Sequence, residues 1–131
     1  MTEGMHPNMA LLKNLNLQDL DACKDIIADD FVWHYVNPRL PELDGDYRGV
    51  EGLKAFFAKL DNKSGSSFRR NHVETRTAGD ELVVTQVCNC MILEGRSIEL
   101  DAVVVWRIVD GKIAEAWDIP AINTIRSDGT S

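Results

Sequence analysis

No apolar run in this sequence approaches the roughly 18 residues that a membrane-crossing helix needs; stretches such as "AVVVW" at 102–106 are among its longest. A membrane is therefore not an expected partner. Basic residues are also scarce, with 14 Lys and Arg against 21 Asp and Glu and a formal net charge of -7. Such a surface repels nucleic-acid phosphates and anionic headgroups unless its basic groups cluster. Arg69-Arg70 is the one candidate cluster, and two arginines are too few, so nucleic acid is not expected either. Cysteine is sparse and odd in number: Cys23, Cys88 and Cys90 cannot all pair with one another. With no charged leader and apolar signal core ahead of the first polar helix, the expectation is free thiols in the cytoplasm. Three cysteines and three scattered histidines offer only the Cys88/Cys90 C-x-C pair, so neither a metal nor a cofactor is expected.

What the chain does have is 44% hydrophobic content in 131 residues, which suits one domain, 1–131, with a core of its own. Its apolar period divides it in two. Met9, Leu12 and Leu15, then Leu20, Cys23 and Ile27, recur near helical spacing and predict two short helices, with Asp19 as N-cap of the second. "FVWHY" at 31–35 alternates as a strand, and "VNPRLPELDGDYRG" reads as a loop suited to covering a site. Val50, Leu53, Phe56, Phe57 and Leu60 mark a third, amphipathic helix, closed by the polar "DNKSGSS".

From Phe68 the period falls to two, and "AGDE", "LEGRS" and "VDGK" separate the strands. Helices followed by a meander predict an α+β fold: a cone-shaped α+β barrel, with three N-terminal helices packed on a curved, mainly antiparallel sheet. A hollow at the open end of that cone would suit a small apolar molecule.

Parity gives the direction of each side chain. In "SIELDAVVVWRI" the even positions 98 to 108 are all apolar, so Val104 and Trp106 face the hollow while Asp101 faces out. In "VVTQVCNCM" the inward set is Thr85, Val87, Asn89 and Met91, with Cys88 and Cys90 outward. In the last strand Ala114, Ala116, Asp118 and Pro120 face in, and a one-residue bulge would reverse them.

"LNLQDLDACKDIIADDFVWHY", "YRGVEGLKAFF" and "VVWRIVDGKIAEAWD" resemble the nuclear transport factor 2-like superfamily, and within it the SnoaL-like polyketide cyclase branch. The resemblance runs from about Met9 to Pro120 and implies the fold more strongly than the chemistry, because one fold hosts many activities. Against ketosteroid isomerases in this superfamily, the catalytic positions fall on Leu11, Tyr35 and Val104, so that catalytic set is absent. The limonene epoxide hydrolase relay falls on Asn89, Val87 and Ile122, and is absent too. Similarity to scytalone dehydratase places Tyr35 and His72 at pocket positions, without that enzyme's other tyrosine and aspartate.

SnoaL-like cyclases use an aspartate as acid/base, and "AWD" resembles the stretch that carries it, which makes Asp118 the first candidate. A carboxylate among Trp33, Val104 and Trp106 loses hydration, which raises its pKa toward the range where a general acid or base works. Negative charge developing on a carbonyl oxygen needs a donor, for which Tyr35, His72 and Asn89 are available, with His34 weaker because its parity is outward. Trp33, Phe56, Val87, Met91, Val104 and Trp106 would form the walls, and Tyr47 either covers the mouth or anchors the loop. The expected function is cofactor-independent acid/base chemistry, of cyclase, isomerase or dehydratase type, on a small apolar carbonyl-bearing molecule. The alternatives are a non-catalytic carrier or sensor, and a dimerisation module whose hollow is plugged by its own side chains. A homodimer through Val103, Val105, Trp117 and Ile119 is expected in any case.

Overall fold

Two-residue turns with both φ angles positive organise half the structure, a computed structural model that describes residues 6–17 and 19–127. Glu94-Gly95 and Asp110-Gly111 are such pairs, at φ 52° and 78° and at 53° and 75°. Turns of that hand match the twist of the strands they join, so each closes a tight hairpin. They link β4 (Leu82–Leu93) to β5 (Arg96–Val109) and β5 to β6 (Lys112–Pro120). Upstream, β3 (Arg69–Ala78) pairs with β4, with Gly79 at positive φ in the turn between them. β1 (Ile27–Tyr35) lies parallel to β6 and antiparallel to β2 (Gly45–Arg48). The short β7 (Arg126–Ser127) pairs with the start of β5.

The sheet order is β2-β1-β6-β5-β4-β3, so β2 and β3 do not meet. This corrects the expected cone: the sheet is mixed and open, neither closed into a barrel nor strongly curved. The helical layer is also smaller than the three helices expected. α1 (Pro7–Leu12) has six residues, and the second segment, Leu20–Ile26, is a 3-10 helix interrupted at Cys23. Asp19 does cap it, accepting from the Ala22 amide at 3.4 Å, but the backbone leaves helical dihedrals at Cys23, with φ -119° and ψ 16°, and β1 begins at Ile27. Ile27, counted above with the helix, instead opens β1 opposite Ile113 of β6.

Only α2 (Gly49–Ser64) is a full helix, and it buries Leu53, Phe56 and Leu60 against the sheet. Its ring contacts fill the space where a hollow was expected. The Phe56 ring lies 5.5 Å from Trp33, 4.9 Å from Tyr35 and 5.2 Å from Tyr47, and Trp33 lies 5.6 Å from Trp106. Such tilted aromatic pairs pack closely and leave little room between rings. Trp33, Val87, Val104 and Trp106 are thus core residues with no open wall to offer. Tyr47 is an anchor and not a cover: it is buried, and its hydroxyl donates to the Leu43 carbonyl at 2.7 Å. The Pro-rich loop likewise packs inward through Leu40 and Leu43.

The approach of α2 to β2 depends on Gly52. A Cβ there would sit 2.7 Å from the carbonyl carbon of Tyr47, a backbone atom that cannot rotate away. Gly52→Ala improves helix propensity by up to about 1 kcal/mol, yet the clash dominates. The expected net loss is about 1–3 kcal/mol, read as a lower denaturation midpoint in urea. An unchanged or raised midpoint would show that the helix can shift without cost.

Candidate active site

Asp118 takes its direction from its neighbours in the sheet. Antiparallel pairing sets it opposite Val104 of β5, and parallel pairing sets it opposite Tyr35 of β1. Both partners are buried, and Asp118 is only 3% exposed. β6 does carry a register shift, but it falls where Arg107 and Ile108 meet Glu115 and Ile113, upstream of the site. It corrects the inward set at one end: Ile113 is buried and Ala114 only half-buried, while Ala116 and Asp118 keep their parity.

The partner of that carboxylate is Arg70, which sequence reasoning set aside as half of an inadequate basic patch. Arg70 sits opposite Asn89 in the β3–β4 ladder and therefore shares the inward face with it. Its Nε donates to Asn89 Oδ1 at 3.1 Å and its Nη2 to Asp118 Oδ2 at 2.9 Å. The guanidinium carbon lies 5.4 Å from the Phe68 ring centre and 6.0 Å from that of Trp33. The signal available in the sequence was parity, since Arg70 lies two residues before the candidate His72.

Tyr35 completes the group together with a second residue that sequence reasoning missed, Asn37. The Asn37 amide Nδ2 donates to the Tyr35 hydroxyl oxygen at 2.8 Å. With its oxygen already accepting, the phenol has its own proton to give. Burial, opposed by the Asn37 hydrogen bond, pushes the Tyr35 pKa up to about 12, so the group is a neutral donor at physiological pH. Burial also pushes the Asp118 carboxyl above the ordinary aspartate range, with the Arg70 charge and hydrogen bond pulling the other way.

Tyr35, Asn37, Phe56, Arg70, Asn89, Met91 and Asp118 all border one cavity of about 10 Å³. A volume that small admits about one water and no organic molecule. Its polar lining is nonetheless incomplete. Four buried side-chain polar atoms lack a partner among the described residues. Two of them are Asp118 Oδ1 and Arg70 Nη1, and a third is Nε1 of the Trp33 beneath Arg70. Such atoms are rare in folded proteins, and three of the four gather around one ion pair.

Two expected donors lie elsewhere. His72 shares the parity of Val87 but stands exposed on edge strand β3, where a bulge before Glu74 turns its ring onto the Thr75 hydroxyl. His34 faces out and bridges Asp46, at 2.7 Å, and Glu115. Burial lowers its pKa, but those two carboxylates outweigh it and hold the imidazole above the usual histidine value. Its ring stacks on Trp117 at 5.4 Å, which makes it a tie across β2, β1 and β6 and not part of the inner site. Larger depressions exist, and one of about 570 Å³ lies around Cys90, Glu99 and Arg126, away from Asp118.

Solved structures with this fold are numerous. A nuclear transport factor 2-like protein of unknown function from Burkholderia pseudomallei superposes with a TM-score of 0.76 at 23% identity, over 91% of this chain and 94% of that one. TerC, crystallised with polyporic acid, gives 0.71 at 24% identity over 88% and 89%. IdmH from Streptomyces antibioticus, a proposed polyketide cyclase, gives 0.68 at 22% over 91% and 95%. At these identities the likeness speaks for the fold alone. No curated protein matches the chain in sequence at a significant level. The sequence profile of the SnoaL-like domain matches residues 10–116, ending just before Asp118, and so the chain belongs to the SnoaL-like domain family, within the nuclear transport factor 2-like superfamily.

Proposed function

We propose that this protein is a cofactor-independent acid/base catalyst acting on a small apolar molecule that bears a carbonyl group, of the polyketide-cyclase type. The observation that carries the reading is the buried Asp118–Arg70 pair with one oxygen and one N–H left unmatched beside the neutral Tyr35 hydroxyl. Asp118 takes a proton from the carbon next to the carbonyl, and the Arg70 Nη1 and Tyr35 hydroxyl hydrogens stabilise the oxygen on which charge develops. Family membership and the fold shared with IdmH support the reaction class. Substrate entry requires Arg70 to withdraw from its place over Phe68 and Trp33, because a pocket for such a molecule needs a few hundred Å³.

Incubating the protein in heavy water with cyclic ketones and 1,3-diketones tests this directly. Deuterium should enter the carbon beside the carbonyl, as read by NMR, faster than in buffer alone. Probes that bind without exchanging would favour the carrier. The filled interior specifically favours a second reading, a dimerisation module with no small ligand, and absence of any probe binding would select it.

The homodimer remains part of the proposal. Val103, Val105 and Trp117 are half-buried on the outward face of the sheet, and Ile119 is 52% exposed there. Sedimentation should report twice the 14.7 kDa chain mass, and a single-chain mass at micromolar concentration would overturn the dimer.

A further inference from the structure

The inner site leaves Cys88 and Cys90 unused. Both project from β4 onto the outward face, and the β4–β5 register sets Cys88 opposite Asp101 and Cys90 opposite Glu99. Two thiols and two carboxylates thus occupy alternate rungs of one ladder, on the same face of the sheet. The two sulfurs and a Glu99 oxygen all lie within 4.8 Å of one another. Around tetrahedral Zn²⁺, with Zn–S near 2.3 Å, two sulfurs stand about 3.8 Å apart, so small side-chain rotations would close the set.

A cation already sits on this cluster. Arg126, delivered by the pairing of β7 with Glu99, donates from Nε to Glu99 Oε1 at 2.8 Å and from Nη2 to Asp101 Oδ1 at 3.1 Å. The same Nη2 lies 3.5 Å from Cys88 Sγ. Asn71 Nδ2, at 3.6 Å from Cys90 Sγ, supplies an outer hydrogen bond of the kind that orients a ligating sulfur. The 570 Å³ depression bordered by Cys90, Glu99 and Arg126 gives access from solvent. Burial, with Cys88 and Glu99 close by, raises the Cys90 pKa.

We propose that Cys88, Cys90 and Glu99 form a binding site for a divalent cation of the Zn²⁺ class, with a fourth position on the Asp101 side, and that Arg126 is the internal cation the metal displaces. Binding forms two metal–sulfur bonds, releases two thiol protons to solvent and changes no oxidation state. It frees β7 from its ion pairs with β5.

The test uses the full chain with thiols reduced, titrated with Cd²⁺ and then with Zn²⁺. Thiolate-to-cadmium charge-transfer absorption should saturate at one equivalent, and Zn²⁺ should remove it by competition. Cys88→Ser and Cys90→Ser should each weaken binding by at least about tenfold, and Glu99→Gln by several-fold. Arg126→Met should tighten it by about three- to tenfold, since two exposed ion pairs no longer compete. Absorption that persists in the double serine variant, which keeps Cys23, would overturn the site. Unchanged affinity in Glu99→Gln would reduce it to a bare thiol pair and equally overturn it. Unchanged affinity in Arg126→Met would overturn the displacement. Far-ultraviolet circular dichroism on each variant ensures that a loss of binding is not a loss of fold.

Discussion

Asp118→Asn is expected to slow proton exchange on a ketone probe by about 10²- to 10⁴-fold while leaving probe affinity within a few-fold. The two outcomes separate because asparagine keeps the shape and an oxygen for Arg70 Nη2 but cannot accept a substrate proton at neutral pH. The wild-type rate should also depend on pH in a definite direction. Asp118 works as a base only when ionised, and burial holds its pKa above the ordinary aspartate range. Activity should therefore be low in acid and rise with pH through that raised value. Tyr35 loses its proton only near its pKa of about 12, so the donor side imposes no limit in the neutral range. A matching fall in affinity would assign Asp118 to binding and not to proton transfer. An exchange rate unaffected by Asp118→Asn would remove the proposed chemistry altogether. Because the substitution leaves Arg70 charged and buried, both proteins are compared at a temperature where each is shown to be folded.

Asp118 was legible because strand alternation is strict and because its partner Val104 sits in an unbroken even-numbered apolar series. The inward positions Thr85, Val87, Asn89 and Met91 were legible for the same reason, and all four are buried. Arg70 and Asn37 were not read. Arg70 acts across two intervening strands through a long side chain, and Asn37 acts from a loop, where no period exists to assign direction. The second helix was misjudged because Leu20, Cys23 and Ile27 fit a helical period that the competing Ile27–Ile113 pairing breaks. The open sheet and the filled interior lie beyond pattern. Whether helix and sheet enclose a space depends on how Trp33, Phe56 and Trp106 tilt against one another, and periodicity says only that they face inward. His72 shows the same limit from the other side: its parity is inward, but it stands exposed on an edge strand.

Arg70→Met should destabilise the protein by about 3–5 kcal/mol at neutral pH, the range found when one member of a buried ion pair is removed. Asp118 would be left with no partner for either oxygen among the described residues, because Arg70 supplies its one hydrogen bond. Methionine retains the packing over Phe68 and Trp33, so the loss reports charge and not volume. Its pH dependence follows from desolvation acting without the arginine. The folded-state pKa of Asp118 then rises further above the unfolded value of about 3.9, so folding favours the protonated form. That contribution is fully present below the unfolded value and is lost as pH rises through the folded one. Arg70→Met should accordingly come closest to wild type in acid and fall away toward neutrality. The double variant Arg70→Met/Asp118→Leu removes both charges and should recover most of the loss, or exceed wild type by about 1–4 kcal/mol, as apolar replacements of buried pairs do. Urea denaturation of wild type, Arg70→Met, Asp118→Leu and the double variant closes the cycle, and a coupling energy near zero would show that the two groups do not depend on each other. Recovery of stability together with loss of exchange in the double variant would mean that the pair is kept at the expense of the core. It would then be held there for chemistry, with Arg70 closing the site over Asp118 until a carbonyl compound enters and takes the free Nη1 hydrogen for its oxygen.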